Sequence, residues 1–585
     1  MAFASTNYSP ALSPVRILPQ KLSQTRKPHL IVVRSSSPTN QNQSTAVVSS
    51  PLLKQLKIPI GHPSSFADDF HGDEHARKLK ASKYMLSKVG EDRFEGLAIV
   101  DAVQRLGIDY LFQDEIEEIL RRQYVISKTH GFQLYDLQET ALRFRLLRQG
   151  GYYVPADMFS SFTNKEGKIK QEVGEDINGL IGLYEASQLS LVGEDVLDEA
   201  RDFSAELLNE WVKHLDGHQA RTVRNTLSYP YHKSLSRFVA KNFFVNNFHG
   251  ENRWIHVLQE LAKMDFDLVQ SLHKKEILQI TEWWKDVGLS EKLECARDQP
   301  LKWYIWSMAC LTDASLSWQR VELTKPISLI YIIDDIFDVY GTLDELTLFT
   351  EAISRWDLAA TDQLPEYMRT CFMALDDITN EIGCRVYEKH GYNPVQSLRK
   401  AWASLCNAFI VEARWFSFGQ SPMAEEYLKN GIVSSGVHVV LVHIFFLLGQ
   451  GITRENVEHI DNNPAIISST ATILRLWDDL GSAKDENQLD GEDGSYIHYY
   501  MKEHQESSAE AAEKHAMDKI SDAWKSLNKA CLSSNALSAD FNQASLNLAR
   551  MVPLMYTYDD NQRLPILEEY IKSLLFENAP NEGLY

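Results

Sequence analysis

Residues 329–340 form an apolar and aromatic segment that is interrupted by Asp334, Asp335 and Asp338. Because an unpaired carboxylate is costly to bury, acids in such a segment need a counter-charge. Positions i and i+4 share one face of a helix, so Asp334 and Asp338 are predicted to point the same way. Two carboxylates placed like this suit Mg²⁺, which leaves room for waters and substrate phosphates. A solvated acidic face is the alternative, but its flanks would be polar rather than Ile, Tyr, Phe and Val.

A second acidic cluster lies further along the chain. Asp478, Ser482 and Glu486 are spaced at i, i+4 and i+8, so their oxygens are predicted to form one stripe along a helix. A carboxylate, a hydroxyl and a second carboxylate can hold one Mg²⁺ together. Arg475 comes one turn earlier, where its guanidinium can grip a phosphate beside the metal. Polar residues at every fourth position are common on exposed helices. The interpretation of this cluster as a metal site therefore depends on the presence of the first acidic cluster as well.

Apolar residues recur at three- and four-residue spacing from about residue 70 onward, which predicts helices, most clearly over 91–105, 114–129 and 137–149. Strand alternation with paired turn signals is hard to find. We therefore expect an all-α protein, and its 585 residues are long for one core, which indicates two domains or more. A break in the pattern near 240–255 predicts an N-terminal helical domain at 51–245 and a C-terminal helical domain at 246–585.

Composition excludes several classes of function. The net charge of −21 is unlike that of a nucleic-acid-binding protein, so no nucleic-acid partner is expected. The six cysteines form no Cys-x-x-Cys pair and are interpreted as reduced, buried thiols. The longest apolar run, 437–449, contains two histidines and is too short to cross a bilayer. It is therefore predicted to be a buried core helix, and no membrane span is expected.

Residues 1–50 differ from the rest of the chain, because they contain Arg and Lys but no Asp or Glu, and are rich in Ser, Thr, Asn and Pro. This composition is typical of an organellar transit peptide, since a secretory signal would have a compact apolar core. A disordered basic tail is the alternative. The Ser/Pro-rich composition and the Met-Ala start favour a plastid (chloroplast) over a mitochondrion.

The two acidic clusters together resemble the motif pair of plant class I terpene synthases, with Asp-Asp-x-x-Asp at 334–338 and Asp-Asp-Leu-x-Ser-x-x-x-Glu at 478–486. The resemblance covers nearly the whole chain beyond residue 50. It implies a barrel-like N-terminal helical domain without chemistry of its own, and a C-terminal class I terpenoid synthase helical bundle that holds the metals. It also implies a monomeric lyase acting on a prenyl diphosphate, with about three Mg²⁺ or Mn²⁺ ions in its site.

The resemblance assigns roles to particular residues of this sequence. The implied metal ligands are Asp334, Asp338, Asp478, Ser482 and Glu486. The residues implied for both catalysis and substrate binding are Asp334, Asp338, Arg475 and Asp478, and Arg297 and Trp306 are further implied substrate-binding residues. Asp335 shares the motif but not the helix face of its neighbours, and it is expected, like Asp479, to support the ligands.

Departures from the family pattern narrow the expected product. The family has Arg-x-Arg upstream of the first motif, whereas this chain has Arg297-Asp-Gln299, so one diphosphate donor is missing or is supplied by another group. Cyclic-monoterpene synthases carry a tandem Arg followed by Trp just after the transit peptide, but the first tryptophan here is Trp211. This absence, the Ala-Arg-Asp-Gln-Pro segment and the Asp-Gly-Ser-Tyr stretch at 493–496 resemble the subgroup that makes acyclic alcohols. Residues 434–436, Ser-Ser-Gly, match a helix break that faces the substrate in the family.

We therefore expect geranyl diphosphate to be ionised and its cation to be captured by water as linalool. Nerolidol from farnesyl diphosphate, or another acyclic or cyclic monoterpene, remains the alternative product. A chain-elongating prenyltransferase would need a second Asp-Asp-x-x-Asp, a proton-initiated cyclase would need Asp-x-Asp-Asp, and neither motif occurs. A non-enzymatic helical scaffold would leave both acidic clusters unexplained.

Overall fold

The computed structural model describes residues 65–88, 93–130, 136–245, 253–293, 297–482, 494–533, 537–559 and 563–577. Within these ranges the chain forms α-helices joined by turns and short 3₁₀ segments, and the isolated antiparallel bridge between Thr163 and Ile169 is the only β contact. The prediction of an all-α protein is confirmed. The three helices predicted most clearly are also present, with bounds that differ from the predicted ones by no more than two residues.

The helices before residue 246 are α1 (Ser65–Ser87), α2 (Arg93–Arg105), α3 (Gln113–His130), α4 (Leu137–Gln149), α5 (Ile177–Ser187), α6 (Asp195–Trp211), α7 (Gly217–Ser228) and α8 (Ser236–Val245). Their apolar faces close over three hydrophobic clusters, the largest of which includes Phe144, Leu147 and Phe159. Local capping sets the helix starts. Asp136, Asp176 and Asp216 each accept a hydrogen bond from the backbone amide three residues on, at 2.8–2.9 Å.

The helices after residue 252 are α9 (Arg253–Val287), α10 (Leu289–Lys292), α11 (Pro300–Cys310), α12 (Ser317–Asp335), α13 (Leu343–Arg355), α14 (Glu366–His390), α15 (Val395–Ser417), α16 (Ala424–Ser434), α17 (Val437–Leu448), α18 (Arg454–Asp461), α19 (Ala465–Ser482), α20 (Tyr496–Glu503), α21 (Ala509–Leu532), α22 (Ala539–Tyr556) and α23 (Pro565–Leu575). These helices enclose one large core. Helix α12 runs through it, and from Leu323 to Phe337 every side chain is buried.

The two parts of the chain share α9. Its first half packs Leu258 and Leu261 against Leu86 and Phe112, whereas its second half contributes to the large C-terminal core. Further along, the Asn528 amide donates to the carbonyl oxygens of Gln188 and Ser190, both at 3.1 Å. The expected domain boundary between residues 245 and 246 falls at the edge of a stretch outside the described residues, so it stays a prediction.

The apolar run at 437–449 is a core helix, as predicted. All of α17, from Val437 to Leu448, is buried. Within the described residues, one stretch, Ala424–Leu448, is long and apolar enough to cross a membrane by length and composition, but 89% of its most apolar window is buried inside the fold. The stretch is also two helices, because Gly436 has a φ of +70° and separates α16 from α17. The break expected at 434–436 is therefore present.

Among the described cysteines, Cys310, Cys371 and Cys406 are buried, Cys531 is half-buried, and none forms a disulfide. Cys384 is exposed, so the interpretation of every cysteine as a buried thiol is wrong there. Cys295 lies outside the described residues.

Candidate active site

The first acidic cluster lies at the end of α12. Asp334 is 1% exposed and Asp335 is 8% exposed, while Asp338 is half-buried. Burial raises the pKa of Asp334 well above its ordinary value, the charges of Asp338 and Asp335 add to the rise, and those of Arg297 and Arg475 oppose it. Because Arg475 belongs to the second cluster, the two clusters lie within electrostatic range of each other.

The helix around Asp338 differs from the predicted α-helix. Helix α12 ends at Asp335, and Ile336–Tyr340 is a π-turn in which the Gly341 amide donates to the Ile336 carbonyl oxygen at 2.8 Å. The i, i+4 argument for Asp334 and Asp338 therefore does not apply as stated, because it assumes α-helical spacing. Single π-turns recur at functional sites, where they redirect side chains. Asp338 nevertheless stays near enough to Asp334 for its charge to act on that carboxyl group.

Arg297 pairs with the middle acid of the first cluster. Its Nε donates to Asp335 Oδ2 at 2.6 Å, and its Nη2 donates to Asp335 Oδ1 in a bidentate arrangement. The same Nη2 lies 4.0 Å from Asp334 Oδ2. A fork of this kind orients a guanidinium strongly. Asp335 thus fixes the position of Arg297 at the edge of the site.

Asp334 carries the observation that best tests for a metal. Both of its carboxylate oxygens are buried, and neither accepts a hydrogen bond from the residues that the structure describes. A buried carboxylate without hydrogen bonds is costly unless a cation satisfies it. Hard carboxylate oxygens are the ligands that Mg²⁺ and Mn²⁺ prefer. The residues present therefore fit a divalent cation.

The described residues do not form a complete metal cage by themselves. Within them, no group of three or more His, Cys, Asp or Glu side chains converges closely enough to hold a metal. Glu486, one of the expected ligands, lies outside the described residues. Mg²⁺ commonly takes only one or two carboxylates and completes its shell with waters and substrate phosphates. An incomplete cage is the arrangement expected when the substrate supplies ligands.

The second acidic cluster lies at the end of α19. Arg475 is fully buried, and its Nη1 lies 3.2 Å from Asp478 Oδ2 and 3.5 Å from Asp479 Oδ1. Asp478 is 3% exposed, and Ser482, which is 8% exposed, donates from its hydroxyl to the Asp478 carbonyl oxygen at 3.0 Å. Asp478 and Ser482 therefore both lie on the last turns of one helix, as the spacing predicts.

Asp479 connects the second cluster to two other helices. Its Oδ1 accepts from the Tyr427 hydroxyl on α16, and its Oδ2 accepts from the Tyr496 amide at the start of α20, both at 3.0 Å. Burial raises the pKa of Asp479 to about 7, with Arg475 opposing the rise and Asp478 adding to it. The contacts explain why a carboxylate is kept at a fully buried position.

Buried aromatic side chains lie near the two acidic clusters. Trp306 on α11 is 2% exposed, and its indole nitrogen donates to the Tyr331 hydroxyl on α12 at 3.1 Å. Tyr556, at the end of α22, is also buried, and its hydroxyl makes no hydrogen bond with the described residues. Helix α22 packs on both α11 and α19. The approach to α19 is close at Gly481, where a Cβ would lie 2.8 Å from the Tyr556 carbonyl oxygen.

Sequence reasoning missed several residues of this site. Tyr427, Tyr331 and Tyr556 had no motif to mark them, because their roles depend on contacts between distant helices. Lys302, on α11, was missed as well, although a lysine within the otherwise apolar and aromatic run Pro300–Cys310 is a usable signal. Such a lysine is either snorkelling or buried for a reason.

We expect Asp479→Asn to reduce the dependence of stability on pH. The folded pKa of about 7 lies above the ordinary value of 3.8, so the folded state holds this proton more tightly. The stabilisation is therefore complete below about pH 4 and is lost as the pH rises through about 7, by on the order of 2–4 kcal/mol. Thermal unfolding of metal-free protein between pH 5 and 8 measures the slope. The exposed control Asp377→Asn should leave the slope unchanged, and an unchanged slope in Asp479→Asn would contradict the assignment.

Comparison with known families gives two matches along the chain. The family model "Terpene synthase, N-terminal domain" matches residues 54–227. The model "Terpene synthase family, metal binding domain" matches residues 285–526, which contain both acidic clusters.

Curated relatives are similar over most of the chain. "Probable terpene synthase 13" of Ricinus communis is 62% identical over 86% of this chain and 88% of its own length. An (E)-nerolidol synthase of Cannabis sativa is 56% identical over 82% of this chain and 88% of its own. The chloroplastic S-(+)-linalool synthase of Arabidopsis thaliana is 47% identical over 93% of this chain and 94% of its own.

A solved structure supports the fold directly. Isoprene synthase from grey poplar leaves, in complex with three Mg²⁺ ions and dimethylallyl-S-thiolodiphosphate, superposes with a TM-score of 0.80 at 34% identity. The match covers 87% of this chain and 97% of that one. The expected architecture, a helical N-terminal domain followed by a class I helical bundle, is therefore confirmed.

Proposed function

The chain belongs to the terpene synthase family, and we propose that it converts geranyl diphosphate to the acyclic alcohol linalool. Members of this family are lyases that act on prenyl diphosphates, and the chain is an enzyme of this class. The observation that carries the proposed chemistry is the buried Asp334 carboxylate without hydrogen bonds, which shares its site with the buried Arg475. A site with both unsatisfied carboxylate and cationic groups suits a substrate that arrives as a metal–diphosphate complex.

We propose that Asp334, Asp338, Asp478, Ser482 and Glu486 hold divalent metal, with Mg²⁺ favoured because the isoprene synthase structure contains three of these ions. Mn²⁺ is the alternative metal. When bound, such ions neutralise negative charge on the diphosphate and so favour its departure as a leaving group. Glu486 enters this set from the sequence motif alone.

The protein's own cationic groups bind the leaving group in this proposal. Arg475 lies at the second cluster and Arg297 at the first, so they approach the diphosphate from two sides. Asp335 orients Arg297 through the bidentate pair, and Asp479 orients Arg475 while binding the Tyr496 amide. In this proposal Asp335 and Asp479 support the residues that bind metal and diphosphate, as expected for them, and need not contact the metal themselves.

Departure of the diphosphate leaves an allylic cation that the protein must hold without reacting with it. The faces of Trp306 and Tyr331 can stabilise such a cation by roughly 0.5–2 kcal/mol each. Their hydrogen bond keeps the two side chains in a fixed relation. Addition of one water to the tertiary carbon, with loss of its proton, then gives the open-chain alcohol. Early capture by water is the feature that distinguishes this outcome from ring closure.

The acyclic product is supported by the linalool synthase and nerolidol synthase relatives together with the missing Arg-Arg-Trp motif. The nerolidol relative keeps farnesyl diphosphate open as the substrate, with nerolidol as the product. A plastid location is proposed from the composition of residues 1–50 and from the chloroplastic linalool synthase relative. Plastid import and geranyl diphosphate as substrate are consistent with each other.

We expect protein beginning at residue 51 to turn over geranyl diphosphate to mainly linalool in the presence of Mg²⁺. Geranyl and farnesyl diphosphate are incubated separately, and products are identified by chiral gas chromatography. A larger kcat/KM for farnesyl diphosphate with nerolidol as the product would favour the alternative. Mainly cyclic products from geranyl diphosphate would contradict the proposal for the product while leaving the family assignment intact.

A further inference from the structure

Lys302 is a buried lysine that the structure of the protein alone does not explain. It lies in the first turn of α11 and is 3% exposed. Its ammonium group makes no hydrogen bond and no ion pair with any residue of the described ranges; its nearest described partner is the ring of Tyr331, whose centroid is 5.6 Å away. Lysine is almost never fully buried unless it is paired. Its presence here therefore calls for an anionic partner that the described residues do not supply.

Lys325 shows what a structural lysine has in this fold. It is equally buried, on α12, but its Nζ lies 3.0 Å from Glu322 Oε2 and 3.1 Å from Glu381 Oε1. The two lysines thus differ in pairing rather than in burial. Lys325 is consistent with a role in folding, whereas the environment of Lys302 is one that destabilises the free protein.

The helix start and the neighbouring guanidinium of Arg297 both favour an anion at Lys302. It lies at the positive N-terminal end of α11, where a cation is disfavoured and an anion is stabilised. Arg297 lies close by, and burial and Arg297 lower the pKa of Lys302 well below its ordinary value, while Asp335 and Asp478 oppose the change. Because Asp335 belongs to the first cluster and Asp478 to the second, Lys302 lies within electrostatic range of both clusters. A helix start and two cations therefore converge on one place.

We propose that Lys302 is a cationic ligand of the substrate's diphosphate. It supplies the positive charge that is lost where Gln299 stands in place of the second arginine of the family's Arg-x-Arg. Gln299 and Lys302 are three residues apart at the start of the same helix, and the Lys302 amide donates to the Gln299 carbonyl oxygen at 3.0 Å. Gln299 is the N-cap residue and Lys302 the third residue of α11, so both lie at its N-terminal end. The inference rests on the proposed prenyl diphosphate substrate, and it deepens that proposal by naming a further residue that binds it.

The test measures binding of inorganic pyrophosphate in the presence of Mg²⁺ by isothermal titration calorimetry. We expect Lys302→Met to weaken pyrophosphate binding about 10- to 100-fold, which corresponds to loss of one hydrogen bond to a charged group. Lys302→Arg should recover most of the affinity, because it keeps the charge. In the absence of metal and ligand, Lys302→Met should melt at the same temperature as the unmodified protein or higher, since it removes a buried charge without a partner.

Lys325→Met is the matched control. It should melt at a lower temperature, because it leaves Glu322 without one of its partners, and it should keep its pyrophosphate affinity. Equal affinity of the unmodified protein and Lys302→Met would overturn the inference and leave the proposed function standing. A lower melting temperature of Lys302→Met without weaker binding would overturn it too, because the residue would then be structural. If the unmodified protein neither binds pyrophosphate with Mg²⁺ nor releases it from geranyl or farnesyl diphosphate, the proposed function fails instead.

Discussion

Asp334→Asn is expected to lower the turnover of geranyl diphosphate by about 10³-fold or more, and to raise the melting temperature of the metal-free protein. Turnover falls because the substitution removes a proposed metal ligand, and electrostatic stabilisation by bound metal is worth several kcal/mol. Stability rises because the substituted amide carries no charge, whereas the Asp334 carboxylate is buried and accepts no hydrogen bond from any described residue. Opposite signs for activity and stability are characteristic of a group kept for function.

Two measurements on Asp334→Asn separate the possible outcomes. Steady-state release of diphosphate gives the loss of turnover, and thermal unfolding with and without Mg²⁺ gives the effect on stability. Addition of Mg²⁺ together with pyrophosphate should stabilise the unmodified protein strongly and the variant much less. Asp377→Asn serves as the control, because Asp377 is an exposed acid in the same half of the chain and belongs to neither acidic cluster. Normal turnover in Asp334→Asn with Mg²⁺ present would refute its assignment as a metal ligand.

Helical periodicity was enough to predict the fold class, because it reports directly on which face of each element is buried. The stretches at 91–105, 114–129 and 137–149 repeat apolar residues through several turns, and the helices found there have nearly the same bounds. The two acidic clusters were predictable for a similar reason. Each is a local pattern of acids in or beside apolar sequence, and both occur at the ends of buried helices, α12 and α19.

The parts of the site that depend on helices meeting in space were not predictable. No sequence signal marks the π-turn at Ile336–Tyr340. It forms because the Gly341 amide donates to the carbonyl oxygen five residues earlier rather than four. The pair Asp376-Asp377 has no hydroxyl and acid four and eight residues later, so its sequence alone predicts a solvated helix face. Asp377 is exposed, but Asp376 is buried and accepts a hydrogen bond from the Trp356 indole and another from Arg399. Both partners are about 20 residues away in sequence, beyond the reach of any local pattern.

The proposed site combines paired charges, such as Arg297 with Asp335 and Arg475 with Asp478, with the Asp334 carboxylate, which accepts no hydrogen bond from the described residues. Burial and the charges of Asp338 and Asp335 raise the pKa of Asp334, and burial and the charge of Arg297 lower the pKa of Lys302. Lys325, a buried cation outside the site, is by contrast paired with Glu322. A metal–diphosphate complex carries charge of both signs, so its binding would offset the burial of both Asp334 and Lys302.

Arg475→Met is expected to lower turnover by about 10²- to 10³-fold, and also to destabilise the protein by roughly 3–5 kcal/mol. The activity falls because the proposed diphosphate ligand at the second cluster is lost. The stability falls because Asp478 and Asp479 would remain buried after losing the guanidinium that lies 3.2 and 3.5 Å from them. Arg475→Lys should give a smaller loss of turnover, since it keeps the charge but cannot bind with a planar fork.

Arg320→Met separates the two effects of Arg475→Met. Arg320 is also fully buried in the large core, where its Nε and Nη2 donate to the two carboxylate oxygens of Glu276 at 2.8 and 2.7 Å. We expect a comparable loss of stability in Arg320→Met, measured by urea unfolding, but turnover close to normal at a temperature where both variants are folded. If Arg320→Met lost as much turnover as Arg475→Met, the loss of turnover in Arg475→Met would be explained by its lower stability alone. A selective loss in Arg475→Met would instead indicate that the buried guanidinium at the second cluster binds the leaving group.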